Sequence, residues 1–292
     1  MISLFRVEIR RALSRRLVRV LIALAVVASV VAGGLVFANT RKFDAPAREH
    51  ARMQVAADIQ QCAAGPNPGD CGMRQFADYD RSIHVTDLWP VGGEEAILGI
   101  AILLLVLGAL LAAASFVGAD WKTGMFGTLL AWEPRRMRVA GARLGTAALA
   151  AAAIALMLEC VFIAALLPAM LAHGGADGVD HAWAVGLITA MGKGAFLAAL
   201  AAITGASVAL IGRNTAVALG AAFCYLNVVE PAVRAWKPGL GRWLIAENAT
   251  VFLAGSDHDV TASPFPIVTL ALYAAVLSAA AVSVLHRRDI GG

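Results

Sequence analysis

The sequence predicts an all-α polytopic membrane protein with six transmembrane helices, and three observations lead there. Hydrophobic residues make up 60% of the 292 positions and charged residues 15%, against about 25% charged in a soluble domain. Mean hydropathy is +0.74. Ala, Leu, Val and Ile gather in runs of the roughly 20 residues that a helix needs to cross a hydrocarbon core about 30 Å thick. The net charge of +4 does not point to nucleic acid, because the basic residues flank apolar runs and form no polar basic domain.

The N-terminal stretch Met1–Arg16 has helical period, with Ile2, Phe5, Ile9, Ala12 and Leu13 on one side and arginines elsewhere. Such a helix lies in the headgroup plane; an ordinary basic flank of a first span reads the same way. Leu17–Ala38 is the first span, and it is too long for the apolar stretch of a cleaved signal peptide. A polar loop over residues 39–95 follows. It carries Cys62 and Cys71 around the turn-forming run Gly-Pro-Asn-Pro-Gly, and a disulfide is expected if the loop faces an oxidising compartment.

Ala96–Gly118 is the second span and has no charge. The segment 119–143 mixes Trp121, Phe126, Leu129, Leu130 and Trp132 with Lys122, Arg135, Arg136 and Arg138. That is more than a loop needs to reverse direction; aromatic and Arg residues are the side chains that interface hot spots favour. Leu144–Ala172 and Ala182–Gly212 are the third and fourth spans, and both exceed the bilayer. Arg213-Asn214 joins the fourth to the fifth in a tight hairpin. The fifth begins at Thr215 and has 15 residues before Glu230-Pro231, so it is either short or continues as a broken helix to about residue 235. Residues 236–264 hold amphipathic pieces too short to span, expected to re-enter or lie along the surface. Phe265–Leu285 is the sixth span.

Lys and Arg set the orientation. With the N-terminus inside, segments 1–19, 119–143, 213–214 and 286–292 hold 14 Lys/Arg against 4 Asp/Glu, and the outer segments hold 9 against 15. Both termini are therefore expected in the cytoplasm, with the chain in the cell membrane.

No phosphate loop of the form G-x-x-x-x-G-K-[ST], no H-E-x-x-H and no G-x-S-x-G occurs. No catalytic residue, resident cofactor or metal is expected on this chain. His173, Asp177, Asp180 and His181 share one loop, and Asp257-His258-Asp259 another; both read as solvated loops before they read as metal sites. Glu159 and Lys193 stand out because ionisable groups inside spans are costly. Counted along their helices they lie at similar depth, so they are expected to pair. The pair would lock two helices or mark a polar point on a substrate path.

The whole pattern resembles the membrane subunit of a type-2 ABC exporter. Val7–Arg16, reading V-E-I-R-R-A-L-S-R-R, resembles that family's elbow helix. Asp120-Trp121-Lys122-Thr123-Gly124, then Thr128-Leu129-Leu130 and Pro134-Arg135-Arg136, resembles its first cytoplasmic loop, which carries the coupling helix. The family usually has Glu where Asp120 stands and Gly-Thr where Gly124-Met125 stands. The resemblance implies a permease working as a dimer, here a homodimer, with two copies of a separate cytoplasmic ATPase that brings ATP and Mg. It implies docking through Trp121, Trp132, Glu133, Arg135 and Arg136, elbow contacts through Glu8, Arg10 and Arg11, and export of a hydrophobic or amphipathic drug, lipid or peptide. A membrane-embedded enzyme acting on lipid, and a non-transporting scaffold or immunity protein, are the alternatives.

Overall fold

The computed structural model describes residues 15–63, 82–89, 97–122, 136–254 and 265–287. These form an all-α bundle with no strand among the described residues, and six of its helices are long and apolar enough to cross a membrane. The protein is a multi-pass membrane protein.

Helix α1 (Arg16–Asn39) is the first span and α2 (Ala45–Ala63) lies in the polar loop after it. Spans α3 (Ile97–Lys122), α4 (Arg136–His173) and α5 (His181–Gly212) follow. The fifth span begins with α6 (Thr215–Cys224), passes through a π-helical turn at Tyr225–Val229 and ends with α7 (Glu230–Trp236). A 3-10 turn (Pro238–Trp243) leads into the short α8 (Ile245–Ala254), and α9 (Phe265–Arg287) is the last span.

Helix α5 is the axis of the bundle. Its most apolar window is 56% buried inside the protein, against 11–28% for the other spans. Small residues make this possible: Ala198, Ala202, Ala206 and Ala209 are fully buried and let neighbouring helices approach. Helix α1, by contrast, exposes Val20, Leu24, Val27, Val31 and Leu35 along most of its length, as a lipid-facing span does.

The fifth span continues through Pro231 as a broken helix, one of the two outcomes the sequence allows. Pro231 has no N–H to give the carbonyl of Asn227, and its ring crowds that carbonyl. The π turn immediately before it widens the helix where the bond is lost. Glu230 then becomes a structural acceptor, 2% exposed. Its carboxylate accepts from the backbone N–H groups of Ala246 at 3.0 Å and Glu247 at 3.3 Å, while the Tyr225 hydroxyl accepts from Ile245 N–H at 3.3 Å. These are the unpaired amides at the N-terminus of α8, so one helix caps another. Arg234 adds contacts to Glu230 at 3.7 Å and Glu247 at 3.0 Å. Glu230→Ala is expected to cost about 1–2 kcal/mol, felt as faster amide hydrogen exchange confined to α8.

Held this way, α8 packs back into the bundle, with Ala249 and Leu253 buried among Leu98, Ile102, Leu197 and Leu270. Asn248, the first residue of an Asn-Ala-Thr sequon, is 3% exposed and donates to the carbonyls of Arg242 and Leu244. At the same end, the 3-10 turn Val85–Leu88 seats Val85 and Leu88 on Leu166, Met170 and Trp183, closing over the α4–α5 connection.

Candidate functional site

The spans run further than their apolar stretches at the end of the bundle where α1 begins. Helix α3 continues past Gly118 to Lys122, and α4 starts at Arg136, two turns before Leu144. The cytoplasmic segment 119–143 is therefore helical at both ends, where it extends the second and third spans.

Asp120 is what those extra turns carry. It is 1% exposed, and its two carboxylate oxygens are divided between two arginines: Oδ1 accepts from Arg15 Nη2 and Oδ2 from Arg143 Nη1. Arg143 is 2% exposed and Arg15 partly exposed. Arg15 also donates through Nη1 to the backbone carbonyl of Ser115 at 3.2 Å. Phe116 lies under both guanidinium groups, with its ring centre 5.0 Å from Arg15 Cζ and 5.3 Å from Arg143 Cζ. Guanidinium is the cation best suited to this, being planar, weakly hydrated and able to stack on a ring while donating in plane.

At the next residue, about 100° round the helix, Trp121 packs half-buried against the apolar core, and Arg213 lies over its ring at 4.9 Å. Arg213 sits at the corner between α5 and α6 with φ +52°, a left-handed conformation usual for Gly or Asn. Asn214 then caps α6 by accepting from Ala216 N–H at 3.0 Å. The hairpin is as tight as the sequence predicts, and its corner residue serves as a lid on Trp121. Four spans are thus tied at one end by three arginines, two aromatics and one carboxylate.

Of the residues expected to dock a partner, Trp121 is packed into this end. Arg136 opens α4, and only its backbone is described. Trp132, Glu133 and Arg135, the elbow residues Glu8, Arg10 and Arg11, and Cys71 lie outside the described residues. Cys62 falls in the last turn of α2 with its side chain outside the description, so the expected disulfide lies outside it too. Asp120, Arg143 and Arg15 were not singled out as a group. The available signal was their placement, since Asp120 ends one apolar run and Arg143 opens the next.

The expected Glu159–Lys193 pair does not form. Depth along the helices is matched, but azimuth decides contact. Glu159 is fully buried against Gly194 and Ile102, and neither carboxylate oxygen has a hydrogen-bond partner among the described residues. Lys193 precedes Gly194, and one residue turns an α-helix by about 100°. Its Nζ instead lies 5.5 Å from the ring centre of Phe252 on α8. Because the two charges do not meet, Glu159→Leu and Lys193→Met are expected to have additive effects on thermal stability. Glu159→Leu by itself should stabilise by about 1–3 kcal/mol, since it removes a buried polar group that has no partner. Strong coupling between the two variants would restore the pair.

The His/Asp loop is dispersed. His173 Nδ1 meets the Thr40 hydroxyl at 2.8 Å and its ring packs on Phe37, while Asp180 caps α5 by accepting from Trp183 N–H at 2.7 Å. No cluster fit to hold a metal occurs among the described residues. Asp257, His258 and Asp259 lie outside them. Comparisons with protein-family models, curated proteins and solved structures found no match.

Proposed function

We propose that this chain is the permease subunit of an ATP-driven exporter in the cell membrane, with both termini in the cytoplasm and a separate ATPase subunit docked on the coupling segment 119–143. The observation that carries the reading is the tie among Arg15, Asp120 and Arg143. Arg15 lies in the segment that the resemblance assigns to the elbow, residues 1–16, and Asp120 and Arg143 lie in the one it assigns to the coupling loop, residues 119–143. A push on the coupling segment would reach α3 through Asp120, α4 through Arg143 and α1 through Arg15. Such a joint turns motion at a docked ATPase into motion of three spans. The excess of Lys and Arg on the same end agrees with a cytoplasmic face.

Three groups of the lipid-enzyme alternative have structural engagements that favour the permease reading. Glu159 is sealed against Gly194, His173 is engaged by Thr40, and Asp180 caps a helix.

Isolation of the chain from its native membranes with whatever cytoplasmic ATPase stays bound, followed by an assay of ATP hydrolysis, tests the proposal. Recovery of the permease with no ATPase bound would overturn it. Within the complex, Trp132→Ala is expected to weaken ATPase docking by about 2 kcal/mol or more while expression persists. Reversing Arg135 and Arg136 to Glu should weaken docking in a salt-dependent way. Transport left intact by Trp132→Ala would place the coupling contact elsewhere.

A further inference from the structure

Lys193 is a cation inside a span with no counter-charge among the described residues. It is half-buried, no carboxylate pairs with it, and its ammonium makes no hydrogen bond to a described residue. Arg15 and Arg143 differ, because Asp120 neutralises both. Glu159, at similar depth, packs against Gly194 on another side of α5. Along α5, Lys193 stands about 30 Å from the corner residue Arg213 at 1.5 Å per residue. That is the thickness of a hydrocarbon core. With Arg213 at one boundary of the apolar layer, Lys193 lies near the other.

The surroundings of the ammonium are aromatic on one side and open on another. Its Nζ lies 5.5 Å from the ring centre of Phe252 on α8. Phe196, one turn along α5 towards the middle of the bilayer, is 38% exposed, and its ring centre is 6.0 Å from that of Phe252. The ammonium and both rings therefore share one face, built by two helices. Beside them, a side chain added at Gly192 would meet nothing within 4 Å.

We propose that Lys193, Phe196 and Phe252 form a binding site for an anionic amphiphile, a carboxylate or phosphate headgroup on an apolar chain. The headgroup accepts from Nζ at the boundary of the apolar layer, and the chain lies on the two rings. An ammonium without a partner in an apolar layer is costly. A ligand that brings its own negative charge relieves that cost, and an uncharged amphiphile does not. The site belongs to this chain alone, so failure to recover an ATPase leaves it standing.

The test is native mass spectrometry of the purified full-length chain, titrated in detergent with oleate, oleyl alcohol or dioleoyl phosphatidylglycerol. Oleate is expected to bind about tenfold tighter than oleyl alcohol, the effect of one charge-assisted hydrogen bond. Lys193→Met should remove that preference, and Lys193→Arg should keep it. Phosphatidylglycerol bound with the same dependence on residue 193 assigns the site to a lipid of the leaflet; oleate alone bound that way assigns it to a free amphiphile. Equal binding of oleate and oleyl alcohol by the unaltered chain would overturn the proposal, as would a preference that survives Lys193→Met. So would tighter oleate binding in the double variant Asp257→Asn with Asp259→Asn, because the chain would then be supplying the counter-charge itself.

Discussion

Asp120→Asn is expected to destabilise the bundle by about 3–5 kcal/mol, the range for removing one partner of a buried ion pair. The cost comes from what stays behind. Arg143 is 2% exposed, and without the carboxylate its charge remains in a dry place opposite a second guanidinium. Folded yield from membranes should fall steeply, and the thermal transition of the remaining protein should drop. Arg143→Gln should be severe for the same reason. The double variant should cost much less than the two singles added, because the paired charges leave together. Singles that each cost under about 1 kcal/mol would show that the cluster is a surface contact of the ordinary weak kind.

Gly205→Ala should be the most damaging glycine replacement along α5. A methyl group there would run into the backbone carbonyl of Leu110 on α3, and two packed helix backbones cannot yield separately. Overpacking of this kind costs about 1–3 kcal/mol and sometimes more. Two other glycines of α5 calibrate it. At Gly194 the nearest obstacle is the Glu159 side chain, which can turn aside, so Gly194→Ala should cost less. At Gly192 nothing lies within 4 Å, and Gly192→Ala should be neutral or slightly stabilising from helix propensity alone. Thermal unfolding of the three variants in one detergent checks the order. Equal effects would mean that α3 and α5 are less closely packed than described.

Six spans were legible because hydropathy over 20 residues is a local quantity, and runs such as Ala96–Gly118 admit no other reading. The ends of the spans were not. Asp120 and Arg143 look like loop residues by polarity, and only their mutual neutralisation across two helices keeps those turns helical and packed. The Glu159–Lys193 misreading has a related cause. Distance along an axis follows from counting residues, whereas the facing of two helices depends on every contact between them, here on Gly194 admitting Glu159. Glu230 is the third instance. Beside Pro231 it reads as the end of a span, yet its role is to accept from amides of α8, 16 and 17 residues later. The site that joins the spans was invisible for the reason that makes it a joint: each member satisfies a residue distant in sequence.

The Arg15–Asp120–Arg143 tie also has a consequence for how the chain is made. Arg15 lies 105 residues before Asp120, and Arg143 lies 23 residues after it. A ribosome feeding the chain into the membrane delivers Arg15 first, then the acid, and the second base last. When the second span has just been released, Arg15 is already in place beside the first and Arg143 has not yet emerged. About 23 residues later Arg143 emerges, joins the carboxylate and leads the third span in. The carboxylate thus joins three segments that reach the membrane at three different times, and the joint is complete only when the third has arrived.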